Sequence, residues 1–468
     1  MDYLYEKLAS EVAHQIEQGI FRAGDRLPGV RVFSRQRDTS VATAVAVYRR
    51  LEDDGYVEAR ARSGFFVRSR PNVTMPEPGI SKPKSRPRPV TGQGLTMQLV
   101  KAANNPDIVQ LGAAVPDSSF LPGRAIELAL SSAARRHRTR SVAYEFPPGA
   151  PELRQQIARR MAESGCTLRP EEIVITNGCQ EALTLALQAL TSPGDVLAIE
   201  SPTFYGLLQV IDSLGLKALE IPTHPREGIS LEALQLALEQ WPVKACVAVP
   251  NYSNPLGYCM PDERKQRLVE LLQAHRIPLI EDDVYGDLGF SQRRPSTCKA
   301  RDKSGSVLYC ASFSKTLAPG LRIGWIAPGR YQERVEYLKY VTNLATPTIP
   351  QLAVAQMLES GIYERHLRKV RVEYARAVER MIEAVERHFP AGTRVTQPQG
   401  GFVIWIELAA KVDSFELAGK LLAQGISIAP GPIFSASQKY RNFLRLSCAC
   451  EWSSRVERGL ATIARLIE

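Results

Sequence analysis

The 468-residue sequence lacks the marks of a membrane, secreted or metal-cluster protein. It contains no run of about eighteen apolar residues, the length that a helix needs to cross a bilayer, and its first residues do not form a signal peptide. The eight cysteines show no metal-type pairing, because the closest two, Cys448 and Cys450, are separated by one residue. We therefore expect no metal, no membrane partner, and reduced thiols in a cytoplasmic protein.

The composition is that of a globular protein with a surplus of positive charge. Apolar residues make up 44% and charged residues 23%, and the length exceeds that of one ordinary domain. The net charge is +10 at pH 7, and residues 1–90 hold 16 Lys and Arg against 11 Asp and Glu. A basic N-terminal part favours an anionic partner such as DNA, although charge alone is weak support.

Residues 1–70 are predicted to form a winged helix-turn-helix, an α+β fold of three helices and a hairpin. The first helix is indicated by apolar residues spaced four apart. Pro28 suits the first position of the second helix, and Ser40 suits the N-cap of the third. The third helix is expected to turn five side chains inward: Val41, Ala44, Val45, Tyr48 and Leu51. Strands over 56–59 and 65–68 complete a fold that places its third helix in the DNA major groove.

This segment resembles the DNA-binding domain of the GntR family, which it matches from Gly24 to Gly64. The resemblance implies that six residues contact DNA phosphates or bases: Arg26, Arg31, Ser40, Thr43, Arg62 and Gly64. Gly29 and Val41-Ala42 depart from the family, which usually has serine and Arg-Asn at these places. Because side chains that read base edges are missing there, readout would use other residues or groove shape. The alternative is a winged helix that serves protein contacts or dimerisation.

Residues 71–95 are rich in proline and basic side chains and contain almost no large apolar residue. Such a segment cannot bury a core, so we predict an extended, semi-rigid and solvated linker. Its positive charge could add non-specific attraction to phosphate.

The remainder of the chain alternates strand-like apolar runs with helical stretches, which predicts an α/β domain with a mostly parallel sheet. Clear strands are predicted over 173–175, 196–199, 245–249, 278–280 and 307–309. We expect a large domain over 96–350 and a smaller C-terminal α+β subdomain over 351–468. Most of the strands are followed by polar residues, at the edge where α/β proteins bind ligands.

The most informative of these polar residues is Lys315, just past the last predicted strand. A primary amine held in a fixed position at a strand end can form a Schiff base with an aldehyde. Ser312 and Ser314 flank it with hydroxyls and Arg322 follows seven residues later, so the stretch also offers donors for a dianionic phosphate. Pyridoxal 5′-phosphate (PLP) is an aldehyde that carries a phosphate. The pattern makes a merely exposed lysine the weaker interpretation.

Three other strand ends offer partners for such a cofactor. Gly178-Cys179-Gln180 is a glycine turn that opens a helix, whose free N–H groups suit a phosphate. Phe204 or Tyr205 could stack on a flat pyridine ring. Asn254 stands in a tight turn with the following proline and glycine, where its amide could reach the phenolic oxygen of the cofactor. Each of these signals is weak alone.

Two adjacent acids, Asp282 and Asp283, end the fourth predicted strand. A buried carboxylate is costly without a cationic partner, and a protonated pyridine nitrogen would be that partner. At about 4 Å and an effective dielectric near 20, the attraction is about 4 kcal/mol. Such an attraction raises the pKa of the ring nitrogen by roughly 3, enough to keep the ring cationic. A cationic ring is the electron sink that carbanion chemistry requires.

Together these segments resemble the fold-type I aminotransferases, in particular their aminoadipate and kynurenine branch. The resemblance implies that Asp282 pairs with the ring nitrogen, with Asp283 as the rival, and that Tyr285 donates to the phenolic oxygen. It favours Phe204 as the stacking ring and leaves Tyr205 as the other candidate.

Three further roles follow from this resemblance. Cys179 stands where the family usually has serine, so its backbone donor remains while one hydroxyl donor to phosphate is absent. Tyr144 matches a tyrosine that reaches the phosphate of the neighbouring subunit, which implies a homodimer. Arg445, an isolated arginine in an apolar run, matches the arginine that clamps the substrate α-carboxylate, and Asn254 would join it in binding substrate.

A winged helix ahead of an aminotransferase-like domain resembles the MocR subfamily of GntR regulators over essentially the whole chain. The resemblance implies a PLP-dependent transcriptional regulator that binds an operator in double-stranded DNA as a homodimer. An amine, an amino acid or PLP itself would act at Lys315 and shift the dimer between two arrangements. The alternative is an active PLP-dependent aminotransferase that also carries a DNA-binding domain, because Lys315, Asp282 and Arg445 are all present.

Overall fold

The computed structural model describes residues 4–22, 24–53, 55–60, 63–67, 75–83, 86–91, 93–291 and 293–467. Its contacts divide the chain into two compact units, one of residues 1–74 with 290–293 and the other of the remaining residues. The finer division predicted at residues 70, 95 and 350 stays a prediction. Within the described ranges, no helix has both the length and the apolar character to cross a membrane.

The first unit has the predicted winged helix-turn-helix architecture. Its elements are α1 Leu4–Glu17, α2 Val30–Gln36, α3 Val41–Asp53, β1 Val57–Arg60 and β2 Gly64–Val67. The two strands form an antiparallel hairpin with Val57 opposite Val67. Both valines enter the core of this unit, where Phe33 and Tyr48 pack edge to face at 5.2 Å between ring centroids. Each strand begins and ends within one residue of its predicted limits.

Two details of the predicted helices are wrong. Pro28 does not begin α2, which starts at Val30; its carbonyl accepts a hydrogen bond from the hydroxyl of Tyr48. Val41 is half exposed rather than inward-facing, while Val47, which was not predicted to face inward, is fully buried. Ala44, Val47 and Leu51 repeat at spacings of three and four and already complete one buried face, so Val41 lies at the exposed first turn.

The second unit contains the remaining elements. Its helices are α4 Gln93–Ala103, α5 Gly123–Arg136, α6 Pro151–Glu163, α7 Cys179–Leu190, α8 Tyr205–Ser213, α9 Leu231–Gln240, α10 Asp262–Ala274, α11 Gln332–Asn343, α12 Thr348–Glu359, α13 Ile362–His388, α14 Ser414–Leu422 and α15 Ser454–Ile467. Its strands are β3 Arg88–Pro89, β4 Val109–Gln110, β5 Val174–Thr176, β6 Val196–Ser201, β7 Lys217–His224, β8 Gly228–Ile229, β9 Val243–Ala248, β10 Leu279–Asp282, β11 Val307–Ser312, β12 Gly324–Ala327, β13 Arg394–Val395, β14 Val403–Glu407, β15 Ile426–Ser427, β16 Ala429–Pro430 and β17 Phe443–Ser447.

The central sheet confirms the predicted α/β class. Its order is β3-β7-β6-β9-β10-β11-β12-β5, with β8 beside β7. The strands β7, β6, β9, β10 and β11 run parallel, whereas β12 is antiparallel to both of its neighbours. Asp282 at the end of β10 lies opposite Cys310 of β11, so the carboxyl ends of these two strands meet at one edge of the sheet.

Alternate residues of the central strands enter two separate cores. In β6, Val196 and Ala198 join the core that contains residues of α9 and α10. The intervening Leu197 and Ile199 join the core that contains residues of α7 and α8. Strands covered on both faces have near-continuous apolar sequences, which is why apolar runs alone were enough to predict them.

The C-terminal part forms a second, antiparallel sheet in the order β13-β14-β17-β16, in which Trp405 lies opposite Arg445. The predicted linker, described over residues 75–83 and 86–91, is partly exposed, as expected of a solvated segment, but it also packs against the rest of the second unit. Arg88-Pro89 pairs with β7, Val90 is buried, and the carbonyl of Pro76 accepts from the N–H of Val395. Proline is tolerated here because β3 is an edge strand.

Candidate functional site

Lys315 lies three residues beyond the end of β11, on a turn closed by a backbone hydrogen bond. In this bond the N–H of Phe313 donates to the carbonyl of Ile323. Its Nζ donates to the carbonyl of Ala114 at 2.8 Å. Burial, followed by the positive charges of Arg445 and Arg322, lowers the pKa of Lys315 to about 8. An amine with this pKa has a substantial neutral fraction near physiological pH, which is the form that attacks an aldehyde.

Lys315 lines a cavity of about 190 Å³ at the carboxyl edge of the central sheet. The cavity brings together most of the residues predicted for the cofactor: Cys179, Gln180, Phe204, Asn254, Asp282, Tyr285, Ser312, Ser314 and Arg322. They come from the last residues of β10 and β11 and from the segments that follow β5, β6, β9, β10 and β11, which meet there because these strands lie in one sheet. The roles of these residues remain predictions.

The turn before α7 forms a cradle for an anion. Gly178 has φ of +88°, and a Cβ there would lie 2.5 Å from Nη2 of Arg322, so this position requires glycine. Nη2 of Arg322 in turn donates to the carbonyl of Asn177 at 2.6 Å. The guanidinium and the first N–H groups of α7 thus lie together, a combination suited to a phosphate.

Asp282 is a buried carboxylate that forms no direct ion pair with a described residue, and the charge of Lys315 has only a minor effect on its pKa. Its Oδ1 accepts from the N–H of Val284 at 3.2 Å and from the thiol of Cys179 at 3.6 Å. Burial raises the pKa of Asp282 to about 6. Asp283 is placed differently, because its Oδ2 accepts from Nη2 of Arg294 at 3.0 Å and it does not line the cavity.

The donor set fits PLP. The cradle at Gly178, which a Cβ would fill, matches the phosphate of PLP. The amine of Lys315 matches its aldehyde, and the carboxylate of Asp282, which has no ion pair, matches its ring nitrogen. Asn254 and Tyr285 form a polar pair on the same wall, with Nδ2 of Asn254 donating to the tyrosine hydroxyl at 3.5 Å. Within the described parts of the chain, no cluster of side chains could hold a metal ion.

Arg445 lies behind the cavity wall rather than on it. It is fully buried on β17, with Nη1 donating to Oδ1 of Asn254 at 3.0 Å and Nη2 donating to the carbonyl of Gly112. Its guanidinium carbon is 5.6 Å from the ring centroid of Tyr205. Asn254 and Tyr205 both line the cavity, so Arg445 is one side chain away from it.

Three predicted aromatic residues are either undecided in role or lie outside the cavity. Phe204 and Tyr205 both line the cavity with ring centroids 4.8 Å apart, so the stacking ring is not decided. Tyr144 is 70% exposed and packs at 5.5 Å from the ring of Phe146. Tyr144 does not line the cavity of its own chain. The role predicted for it is at the cavity of a neighbouring subunit, so its position leaves that prediction open.

The aminotransferase class I and II family matches residues 107–463, more than half of the chain. The chain belongs to this family. Ahead of that domain, residues 4–67 match the gntR family of bacterial regulatory proteins. The two domains in this order are those of the MocR subfamily of GntR regulators, as the sequence predicted.

Relatives with the same two domains are regulators, while the solved structures similar to the larger domain are aminotransferases. The HTH-type transcriptional regulators YjiR and YdcR of Escherichia coli are 40% and 39% identical to this chain, and each alignment covers 99% of it and 98% or 99% of the relative. Kynurenine aminotransferase of Pyrococcus horikoshii has 28% identity and a TM-score of 0.75, covering 81% of this chain and 94% of its own. The alpha-aminoadipate aminotransferase LysN of Thermus thermophilus, complexed with N-(5'-phosphopyridoxyl)-L-leucine, has 27% identity and a TM-score of 0.73, covering 81% and 97%.

The aminotransferase-like domain contains site residues that the sequence did not indicate. The carbonyls of Gly112 and Ala114 accept from Arg445 and Lys315, and Val115 lines the cavity. A Cβ at Gly112 would lie 2.8 Å from the backbone carbonyl carbon of Ile428, which favours glycine there. Backbone acceptors have no side-chain signature, so only that glycine could have drawn attention to this segment.

In the gntR-family domain, the predicted DNA contacts fall into two groups. Arg26 and Arg31 are exposed, and Arg26 lies beside Gly64 at the base of the wing. Ser40 and Thr43 are engaged in capping α3, since Oγ of Ser40 accepts from the N–H of Thr43 at 3.0 Å. Arg62 lies outside the described residues.

Proposed function

We propose that this chain is a PLP-dependent, DNA-binding transcriptional regulator whose aminotransferase-like domain senses an amine, an amino acid or PLP. The observation that carries the proposal is the cavity at Lys315, where an amine, an uncompensated carboxylate at Asp282 and the cradle at Gly178 meet. The gntR-family domain on the same chain supports regulation as the output.

Each residue at the cavity has a defined task in this proposal. Lys315 holds PLP covalently, and Asp282, ionised above its pKa of about 6, holds the proton on the ring nitrogen. Arg322 and the first turn of α7 bind the phosphate, and Asn254 with Tyr285 binds the phenolic oxygen. When bound, PLP supplies an electron sink for chemistry at the α-carbon of an amine. Arg445 orients a ligand carboxylate.

The covalent task of Lys315 can be tested directly. Borohydride reduction of the PLP-loaded protein followed by peptide mass spectrometry should locate the cofactor on Lys315, and Lys315→Ala should abolish the adduct. Lys303→Ala, which changes an exposed lysine twelve residues earlier, is the matched control. A reducible adduct that survives in Lys315→Ala would remove the basis of the proposal.

We also propose a homodimer. Val142 and Tyr144 are 88% and 70% exposed, and Phe146, whose ring is 6.3 Å from that of Tyr340, continues an apolar surface. Exposed aromatic surface of this kind marks protein interfaces. Sedimentation is expected to give the mass of two chains, and Val142→Glu to lower it. Leu236→Glu, which changes another exposed apolar residue (57%), is the control, and a single-chain mass for the parent protein contradicts the dimer.

DNA is the proposed partner of the gntR-family domain, which places the protein in the cytoplasm with its operator. The exposed Arg26 and Arg31 are available for phosphate contacts. Selection of duplexes from a random library should yield a preferred sequence whose binding weakens with salt. Recovery of no duplex by the full-length protein would favour the alternative of a protein-docking domain.

A second candidate is an active aminotransferase. The observation in its favour is that Lys315, Asp282 and Arg445 are all retained in and behind one cavity. Incubation with an amino acid and a 2-oxo acid, followed by chromatography of the products, measures amino-group transfer. Sustained turnover would establish the enzyme, and its absence in a protein that holds PLP on Lys315 leaves sensing as the function.

A further inference from the structure

The outer face of α3, the third helix of the gntR-family domain, is largely apolar. Four residues of this helix are buried in the core of the domain: Ala44, Val47, Tyr48 and Leu51. With 3.6 residues per turn, the opposite face consists of four others: Ala42, Val45, Ala46 and Arg49. Val41, in the first turn of the helix, is 50% exposed. The first two turns of α3 therefore offer mainly methyl groups to a partner.

The polar groups in the first turn of α3 are engaged with each other. Oγ of Ser40 accepts from the N–H of Thr43 at 3.0 Å and lies 2.8 Å from Oγ1 of Thr43. Residues 40–48 contain no Arg, Lys, Asn or Gln, the side chains that form paired hydrogen bonds to guanine or adenine. Arg49 lies about 12 Å further along the helix than Val41. The first residues of such a helix are the ones that meet base edges, so Val41 is placed there without a polar competitor.

The charge around Val41 favours DNA over a protein as the partner of this face. An exposed valine alone would suit either partner. Residues 30–50, which contain α2 and most of α3, hold five arginines and one acid, Asp38. Three of these arginines are exposed: Arg31, Arg35 and Arg49. Arginines around an apolar residue match the phosphates on both sides of a groove, and the apolar group that a base presents in the major groove is the methyl of thymine.

We propose that Val41 reads the methyl group of a thymine in the major groove, so that each half-site of the operator contains a thymine at the first turn of α3. The proposal rests on the proposed function, because it assumes that the domain binds duplex DNA as part of a homodimer. The exposed arginines hold the helix against the phosphates, and the contact between Val41 and the methyl group selects the base. A homodimer presents α3 twice, so the contact occurs once in each half-site.

The test compares the duplex selected from the random library with copies in which single thymines are replaced by deoxyuridine. Deoxyuridine pairs with adenine as thymidine does and lacks only the methyl group. Binding of the full-length, PLP-loaded protein is measured at one fixed salt concentration, because the phosphate contacts depend on salt. Replacement of the thymine read by α3 is expected to weaken binding about fourfold, the effect of one buried methyl group. Thymines outside the selected sequence should give no change.

Val41→Ser links the methyl group of the base to this helix. Serine and valine have similar helix propensities and position 41 is half exposed, so the domain should fold. The variant is expected to distinguish thymine from deoxyuridine by less than about twofold, because the apolar contact is gone. Val32→Ser, which changes a valine that is 48% exposed on α2, is the matched control and should keep the fourfold difference.

Val41→Arg provides the reciprocal test. Arginine is the commonest specific reader of guanine, so selection from the same library with this variant should yield guanine where the parent selects thymine. An unchanged preference for thymine in Val41→Arg would assign base selection to another residue and overturn the inference. The deoxyuridine comparison with the parent protein remains decisive if either variant does not fold.

The outcomes separate this inference from the function beneath it. Recovery of no duplex by the full-length protein fails the DNA-binding function itself. A selected duplex that tolerates deoxyuridine at every thymine overturns only the inference. An equal loss in the parent and in Val41→Ser also overturns it, since the methyl group would then act through groove shape. A fourfold loss that disappears in Val41→Ser and persists in Val32→Ser establishes Val41 as the reader of thymine.

Discussion

The thiol of Cys179 lies 3.6 Å from Oδ1 of Asp282, where both side chains line the cavity. Burial first, and the charge of Asp282 second, raise the pKa of the thiol well above its ordinary value, so Cys179 is protonated and acts as the donor. From the sequence, the only expected consequence of a cysteine at this position was that a phosphate would have one hydroxyl donor fewer. In the structure, the side chain instead supports the carboxylate proposed to hold the ring nitrogen of PLP.

Asp282→Asn is expected to stabilise the protein in the absence of PLP at pH 7. Burial raises the folded-state pKa of Asp282 from 3.8 to about 6, so the folded state keeps a proton that the unfolded state releases between these values. Stability therefore falls as pH rises from about 4 to about 6 and stays reduced above it. Asparagine removes this cost, at most about 3 kcal/mol, and urea unfolding at pH 4 and pH 7 measures it.

Cys179→Ala provides the matched test of the thiol contact. Without that donor, the pKa of Asp282 rises further, so the fall in stability continues to a higher pH than in the parent. In the Asp282→Asn background the same substitution should leave the pH dependence unchanged, as a double-mutant cycle requires. An equal effect of Cys179→Ala in both backgrounds would mean that the thiol contributes packing alone.

Arg445→Met should separate amino acids from amines as ligands. Arg445 is positioned to pair with a carboxylate, and a charge-assisted pair of hydrogen bonds is worth about 3 kcal/mol, or roughly a hundredfold in affinity. We expect leucine binding to weaken by that factor while covalent PLP on Lys315 is retained. Absorption titration measures both, with 3-methylbutylamine as the control ligand whose binding does not change. Equal losses for leucine and the amine would assign Arg445 to PLP or to the fold instead.

Arg31→Ala should weaken DNA binding evenly across sequences and reduce the slope of log affinity against log salt by about 1. The side chain is exposed on α2 and belongs to the predicted phosphate contacts. The exposed Arg159→Ala in the aminotransferase-like domain is the control. An unchanged salt slope in Arg31→Ala would exclude that arginine from the interface.

Ser40→Ala should act differently, costing about 1 kcal/mol of domain stability because it removes the N-cap of α3.

Local patterns explain what the sequence could predict. Lys315 and Asp282 follow apolar runs that predict strands. Such a run and the polar residues after it can be recognised in a stretch of about ten residues of sequence. The parallel order of the strands then brings such ends together, so the candidate cavity followed from the pattern. Ser40 was equally predictable because an N-cap depends on its own helix.

Long-range partners explain what the sequence could not predict. The carbonyls of Gly112 and Ala114 became visible only when the fold set them against Arg445 and Lys315, about two hundred or more positions away. Residues Pro76, Arg88 and Pro89 belong to a segment that appeared too polar to pack, yet their backbone atoms pair with Val395 and with β7. Neither feature depends on a side-chain pattern that could be recognised in advance.

A buried ion-pair network beside the cavity, also absent from the sequence analysis, carries the last prediction. Nη2 of Arg294 donates to Asp283 at 3.0 Å and its Nε to Asp287 at 2.6 Å, while Nε of Arg160 reaches Asp287 at 2.8 Å. Burial alone would raise the pKa of Asp287, but Arg160 and Arg294 outweigh it and hold the pKa well below 3.8. The stability that Asp287 contributes is therefore present above pH 4 and lost as pH falls below it.

Arg294→Ala should lower the free energy of unfolding by about 3 to 5 kcal/mol at pH 7, because it leaves Asp283 buried without a cation. The loss should shrink as pH falls below 4, where Asp287, the other carboxylate that Arg294 compensates, becomes protonated. Arg293→Ala, a change of the exposed neighbouring arginine, is the control and should shift stability by less than about 0.5 kcal/mol. Urea unfolding across this pH range measures both variants. Equal stabilities for Arg294→Ala and Arg293→Ala would mean that the network holds no net stabilising charge pair.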